Sequence, residues 1–147
     1  MKYTKSVTLL LILFLVSCHL VACSTMTPLA KATKDGDINK LSDLISSGGN
    51  INERERKAGW SLLHYAIYYN QIDAVKFLIE KGANVNITDA QGYTPLLFAL
   101  HYINKDIINV LVDSGANMNI LNKEGYTPLS YALHYRYFKV SIPADVK

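Results

Sequence analysis

The stretch Gly92-Tyr93-Thr94-Pro95-Leu96-Leu97-Phe98-Ala99 returns 33 residues later as Gly125-Tyr126-Thr127-Pro128-Leu129-Ser130-Tyr131-Ala132. A repeat of fixed period decides the fold before any local preference does. Its physical content is a helix start. Thr94 and Thr127 supply a side-chain oxygen for the cap, and Pro95 and Pro128 fill the first helical position, where no N–H is needed. The preceding Gly permits the tight backbone that delivers the chain to the cap.

Two earlier copies align with this start, Ser61-Leu62-Leu63-His64-Tyr65-Ala66 and Thr27-Pro28-Leu29-Ala30-Lys31-Ala32. A second signature follows each of the first three: Gly48-Gly49-Asn50-Ile51-Asn52, Gly82-Ala83-Asn84-Val85-Asn86 and Gly115-Ala116-Asn117-Met118-Asn119. The later two lie 33 residues apart and the first two 34, which places one inserted residue in Glu53-Arg54-Glu55-Arg56-Lys57. Between the signatures the spacing predicts two short helices, in the second repeat Leu62 to Tyr69 and Asp73 to Lys81, with Val75, Leu78 and Ile79 at helical spacing. Gly82 stops the second of these.

These elements closely resemble the ankyrin repeat, from residue 27 to about residue 140. The resemblance implies an all-α solenoid of three full repeats and a truncated fourth, each a β-hairpin-like finger and two helices whose apolar faces are buried by neighbours. Three departures from the family pattern carry expectations. Ile103 stands at the turn position held by Gly36 and Asn70, where a β-branched residue is not expected at positive φ, so Asn104 is expected to take that role or the turn to be remodelled. Pro143 cuts the last repeat short, so its second helix is expected to span two turns at most. The first repeat, with Lys31, Lys34 and Asp35, reads as a polar N-terminal cap, and the C-terminal end lacks such a lid.

Residues 1–22 read as a targeting segment, with a basic start (Lys2, Lys5) and an apolar run from Val7 to Val16. The end of this segment, Leu20-Val21-Ala22-Cys23, resembles the lipobox of bacterial lipoproteins, whose Cys is lipidated and becomes the new N-terminus. Leu15-Val16-Ser17-Cys18 also fits. Cys23 is the better match because the chain turns polar only after it. The resemblance implies a lipid anchor at Cys23, a tether over 23–26 reaching about 15 Å at most, and an ankyrin domain over 27–147. With Ser24 after the anchor, and no Asp there, it implies the outer membrane of a bacterial envelope, facing the periplasm.

Both Cys lie in these lipobox positions, so the mature domain has no internal disulfide. Net charge is +3 for the whole chain, and without Lys2 and Lys5 there remain 13 basic and 12 acidic residues. That balance argues against electrostatic capture of nucleic acid.

No Gly-rich phosphate loop or His–carboxylate motif is present, so no catalytic residue and no cofactor is expected, and an enzyme is not. His64 falls where the ankyrin pattern has its own His, whose role is hydrogen bonding between repeats. His101 and His134 occupy one repeat position, with Tyr68 as their earlier counterpart. Equivalent positions in stacked repeats lie about 10 Å apart, too far for two zinc ligands each at about 2.0–2.1 Å, so no metal is expected.

The stronger signal is a row of aromatics. Trp60, Tyr93 and Tyr126 follow the repeat Gly. Tyr69, Tyr102 and Tyr135 end the first helices, preceded by Tyr68, His101 and His134. In the ankyrin family these positions are variable and line the concave, partner-gripping face, so the resemblance implies a protein-binding surface there. Tyr65, Phe98 and Tyr131 are instead expected to pack in the core. The charged finger Glu53 to Lys57, with Arg54 and Arg56, either is a solvated tip or extends the surface.

The expected function is that of a membrane-anchored periplasmic module binding a protein partner. One version is an inhibitor or immunity protein against a toxic envelope-acting enzyme, such as a phospholipase-like effector delivered by a secretion system. An assembly factor for an envelope complex is the alternative, with haem capture behind both.

Overall fold

The computed structural model describes residues 26–140, and side chains as far as His134. Residues 1–22, expected to be a signal peptide, and the candidate anchors Cys18 and Cys23 lie outside the described residues. Seven helices are described: α1 (Pro28–Asp35), α2 (Ile38–Ser46), α3 (Leu62–Tyr68), α4 (Ile72–Glu80), α5 (Pro95–His101), α6 (Lys105–Asp113) and α7 (Pro128–Val140). The first helices α1, α3, α5 and α7 stack in one layer, and α2, α4 and α6 form the second, each packed on the helix before it. This is an all-α repeat solenoid. Its nearest approach to a sheet among the described residues is an isolated antiparallel bridge between Arg54 and Ser61.

The helix starts form as their sequence dictates. Thr27, Ser61, Thr94 and Thr127 accept from the backbone N–H of Ala30, His64, Leu97 and Ser130 respectively. Gly59, before the second start, has φ 68°, and a Cβ there would meet the Ala90 nitrogen at 2.8 Å. The finger of one repeat therefore touches the next at backbone distance, and Ala90 N–H donates to Ala58 O (2.8 Å), as Lys123 N–H does to Gln91 O (2.9 Å).

The core follows the repeat. Leu29, Leu63 and Leu96 hold one position and are 5%, 1% and 2% exposed, and the small Ala32, Ala66 and Ala99 lie beside them. Leu41, Leu78 and Leu111 are wholly buried from the second layer. Burying such a leucine stabilises by about 1.5–3 kcal/mol, and in a stacked repeat the neighbours share in that cover.

The Gly-x-Asn-x-Asn signature has its own job. Asn52 Oδ1 accepts from Asn84 N–H (2.8 Å) and Asn86 Oδ1 from Asn117 N–H (2.7 Å), a ladder running across the repeats. Within each signature the first Asn turns the chain, Asn50, Asn84 and Asn117 accepting from the N–H two residues on.

Two expectations are corrected. Ile103 itself takes positive φ (57°), alongside Asn70 (56°) and Gly36 (67°), while Asn104 stays at φ −90°. The hairpin closure explains this: Ile103 N–H donates to Leu100 O and Asn104 N–H to Ala99 O, the same pair of bonds that closes the earlier hairpins at Gly36 and Asn70. Asn104 is committed elsewhere, its Oδ1 capping α6 by accepting from Ile107 N–H (3.1 Å). Ile103 absorbs the left-handed turn at a cost of about 1–2 kcal/mol.

The last repeat has no inter-helix turn. Helix α7 runs unbroken for 13 residues, so the short second helix expected before Pro143 does not form. At the turn position stands Arg136, a good helix former, and the helix continues through it.

Candidate functional site

Three ring types meet along the first-helix layer. Tyr65, Phe98 and Tyr131 are buried, 8%, 6% and 2% exposed, as their place inside the helices implies. Trp60, Tyr93 and Tyr126, on the fingers, are half-buried, as is Tyr69 at the end of α3. Tyr68, His101, Tyr102 and His134 are exposed. The side chain of Tyr135 lies outside the described ones.

The rings form one continuous row. From Tyr69 it passes to Tyr68 (centroids 5.0 Å apart), Trp60 (5.0 Å), Phe98 (5.2 Å), Tyr102 (5.0 Å) and His101 (4.9 Å). It continues through Tyr93 (6.3 Å), Tyr131 (5.9 Å) and Tyr126 (5.9 Å) to His134 (5.1 Å). Most contacts are edge-on, the geometry that aligns a ring's positive edge with a neighbour's negative face. Finger rings and core rings thus do not separate into two sets. Trp60 packs edge-on against Tyr65 and Phe98 while part of it stays open.

Tyr68 and Tyr102 are open rings, 46% and 44% exposed, and they meet edge-on at 5.4 Å across adjacent repeats. Burial, with Tyr68 a lesser cause, raises the Tyr102 phenol above its ordinary pKa, so that ring presents a neutral hydroxyl at neutral pH. Rigid rings with a polar tip give large contact area at small entropy cost. Lys34 Nζ covers the next ring along, 5.1 Å from the Tyr69 centroid.

His64 is wholly buried between repeats. Its Nδ1 accepts from Ser61 N–H (3.2 Å), which leaves the proton on Nε2 to be donated to Tyr93 O (2.9 Å). Burial lowers its pKa, so the ring stays neutral. The inter-repeat role is the one its place in the repeat implies. His101 bonds through Nδ1 to the Tyr131 hydroxyl. Among the described residues, no group of three His, Cys, Asp or Glu side chains is placed to hold a metal, and no helix is long and apolar enough to cross a membrane.

The finger divides its charges. Arg54 folds back, its Nε donating to Gly59 O (3.2 Å), and Arg56 is exposed near the tip. Glu53 and Glu55 instead border a cleft beside Trp60 and Tyr65. Of the charged finger Glu53 to Lys57, it is the glutamates rather than the arginines that line this cleft. Alternation along an extended finger was the available signal, because side chains two apart share a face.

Asp89 and Asn122 are buried at equivalent finger positions. Each Oδ1 accepts two backbone N–H groups, from Gln91 and Tyr93 and from Glu124 and Tyr126, which fixes the backbone that carries Tyr93 and Tyr126.

A protein-family model described as ankyrin repeats (3 copies) matches residues 2–89 and 85–141. Among curated proteins, the potassium channel AKT1 of Arabidopsis thaliana is 39% identical over 64 residues, covering 44% of this chain and 7% of the channel. Human 2-5A-dependent ribonuclease is 33% identical over 67 residues, 46% of this chain and 9% of the ribonuclease. The inhibitor of Bruton tyrosine kinase of Xenopus laevis is 38% identical over 65 residues, 44% of this chain and 5% of the inhibitor. The chain therefore spans less than a tenth of each of these relatives, and the similarity is one of a shared module.

Proposed function

This chain belongs to the ankyrin-repeat family and is a protein–protein interaction module, and on that premise we propose that it grips a protein partner through its continuous aromatic row. The observation that carries this is the exposure of Tyr68 and Tyr102 in a row whose neighbouring rings Trp60, Tyr69, Tyr93 and Phe98 pack in or against the core. Tyr and Trp in such a setting are the residues that concentrate binding energy.

We further propose that Cys23 anchors the module by lipid to the periplasmic face of a bacterial outer membrane, with residues 1–22 as its signal peptide. There it acts without chemistry of its own, as an inhibitor or immunity protein against a toxic envelope-acting enzyme such as a phospholipase-like effector. A small binding domain tethered within about 15 Å of a membrane suits blockade of an enzyme that works on that membrane. One relative is itself named as an inhibitor, of a kinase.

The test is capture from a native envelope fraction with the tagged full chain, comparing it with the Tyr68→Ala/Tyr102→Ala variant. Recovery of a soluble hydrolase whose activity the chain abolishes, and its loss with the variant, is the expected result. Recovery of envelope components without inhibition would favour the assembly role, for which the open leucines Leu129 and Leu133 on α7 are the supporting observation. The anchor is tested separately: Cys23→Ala is expected to release the protein from membranes, and release by Cys18→Ala alone would move the anchor to Cys18.

A further inference from the structure

Between the start of α1 and the first finger lies a shallow, solvent-open cleft. Its lining joins two chemistries, the apolar Trp60, Leu62 and Tyr65 with the polar Thr27, Glu53 and Glu55. Among the described residues no basic side chain lines it.

Both carboxylates are set in place by the chain itself. Glu55 accepts from Lys57 N–H (2.7 Å) and Ala58 N–H (2.5 Å), and Glu53 accepts from the Thr27 hydroxyl. The bonds to Glu55, that from Lys57 foremost, hold its pKa below the usual carboxylate value. Their field is felt across the cleft, since after burial Glu55 and Glu53 are among the groups that raise the Tyr65 phenol. Trp60 is equally fixed, edge-on to Tyr65 at 5.4 Å and to Phe98 at 5.2 Å.

An anion is repelled from such a cleft, and an apolar side chain filling it would strip water from two carboxylates without replacing it. A cation gains from both surfaces, by Coulomb attraction to the carboxylates and by attraction to the aromatic face. The fold already makes the second contact nearby, with Lys34 over Tyr69. We propose that this cleft receives a basic side chain, lysine or arginine, of the bound protein, its cation held between the Glu53 and Glu55 carboxylates and the Trp60 ring. This rests on the reading of the aromatic row as a protein-binding face, and it specifies what that partner presents.

Trp60 is the sole tryptophan of the chain, so its emission reports on the cleft directly. The full chain in detergent is titrated with blocked tripeptides carrying a central lysine, arginine or glutamine between glycines, at constant ionic strength. Lysine or arginine is expected to change the emission saturably in the millimolar range, with the glutamine peptide at least about tenfold weaker. Glu53→Gln, and Glu53→Gln with Glu55→Gln, are expected to weaken the basic peptides at least about threefold and tenfold, with the far-UV circular dichroism of each variant unchanged. Equal responses to all three peptides, or a folded Glu53→Gln variant that binds lysine and arginine as the unaltered chain does, would overturn the inference. Failure of the peptides while the envelope partner is still captured removes the cation site and leaves the binding role. Binding of the basic peptides with no protein captured leaves the cleft's chemistry and removes the binding role.

Discussion

His64 Nε2 donates across the repeat boundary to the main-chain oxygen of Tyr93, 2.9 Å away, from a ring with no solvent exposure. The bond ties the start of α3 to the finger that carries one of the row's aromatics, and it requires a neutral imidazole whose other nitrogen accepts from Ser61.

Stability should therefore fall with acidification over a defined window. Burial holds the folded-state pKa of His64 below the ordinary 6.5. Above about pH 6.5 neither state is charged and the contribution is complete. As pH falls below that value the unfolded chain takes the proton first, and stability drops by up to about 1.4 kcal/mol per pH unit until the folded pKa is reached. His64→Leu, the residue type at the equivalent Leu97, should abolish this slope below about pH 6.5 and cost about 1–3 kcal/mol at pH 7, where the Tyr93 carbonyl and Ser61 N–H lose their partner. Urea titrations at several pH values decide it. A slope that survives in the variant would assign it to other groups.

Ile103→Gly should stabilise the protein by about 1 kcal/mol. The residue sits at φ 57° and is 59% exposed, so little packing is lost when the strain is relieved. An unchanged or lowered denaturation midpoint would mean that the side chain contributes more than its exposure indicates.

One repeat position should respond differently inside the stack, in α5, and on α7. Leu96→Ala should cost about 2–5 kcal/mol, because Leu96 is 2% exposed. Leu129→Ala should change stability by no more than about 0.5 kcal/mol, because the same position in α7 is 65% exposed. Comparable losses from the two would show that α7 is covered in solution.

Tyr68→Ala/Tyr102→Ala should weaken partner binding at least about tenfold, as loss of central aromatic contacts does, while leaving the protein folded at a cost of about 0.5–1.5 kcal/mol of stability for each ring pair broken. Trp60 and Tyr93 are poorer probes, since both are half-buried against the core and their removal confounds folding with binding. Binding isotherms set beside urea midpoints separate the two effects.

Much of the architecture was legible because repeat signatures are local. Thr-Pro caps, the Gly before them and the leucine and alanine that follow act within one helical turn, and they appear as read. The turn at Ile103 was not legible, since a single residue's preference for negative φ lost to two hydrogen bonds fixed by the flanking helices. The last repeat misled for the converse reason. Pro143 reads as the limit of a second helix, whereas the absence of any turn-favouring residue at Arg136 lets the first helix continue.

For the surface, the sequence by itself determined which rings exist and that they recur at the repeat period, because periodic spacing in a solenoid guarantees stacking. Only the tertiary structure decided which of them remain open. Tyr68 and Tyr102 are exposed while Trp60 and Tyr93 are half-covered, and Glu53 and Glu55 rather than Arg54 and Arg56 border the cleft. Exposure depends on what the neighbouring repeat places against each ring, and side-chain direction depends on how the finger is pinned by Gly59 and Ala90. Both are relations between residues about 30 apart, which a reading of local pattern does not contain.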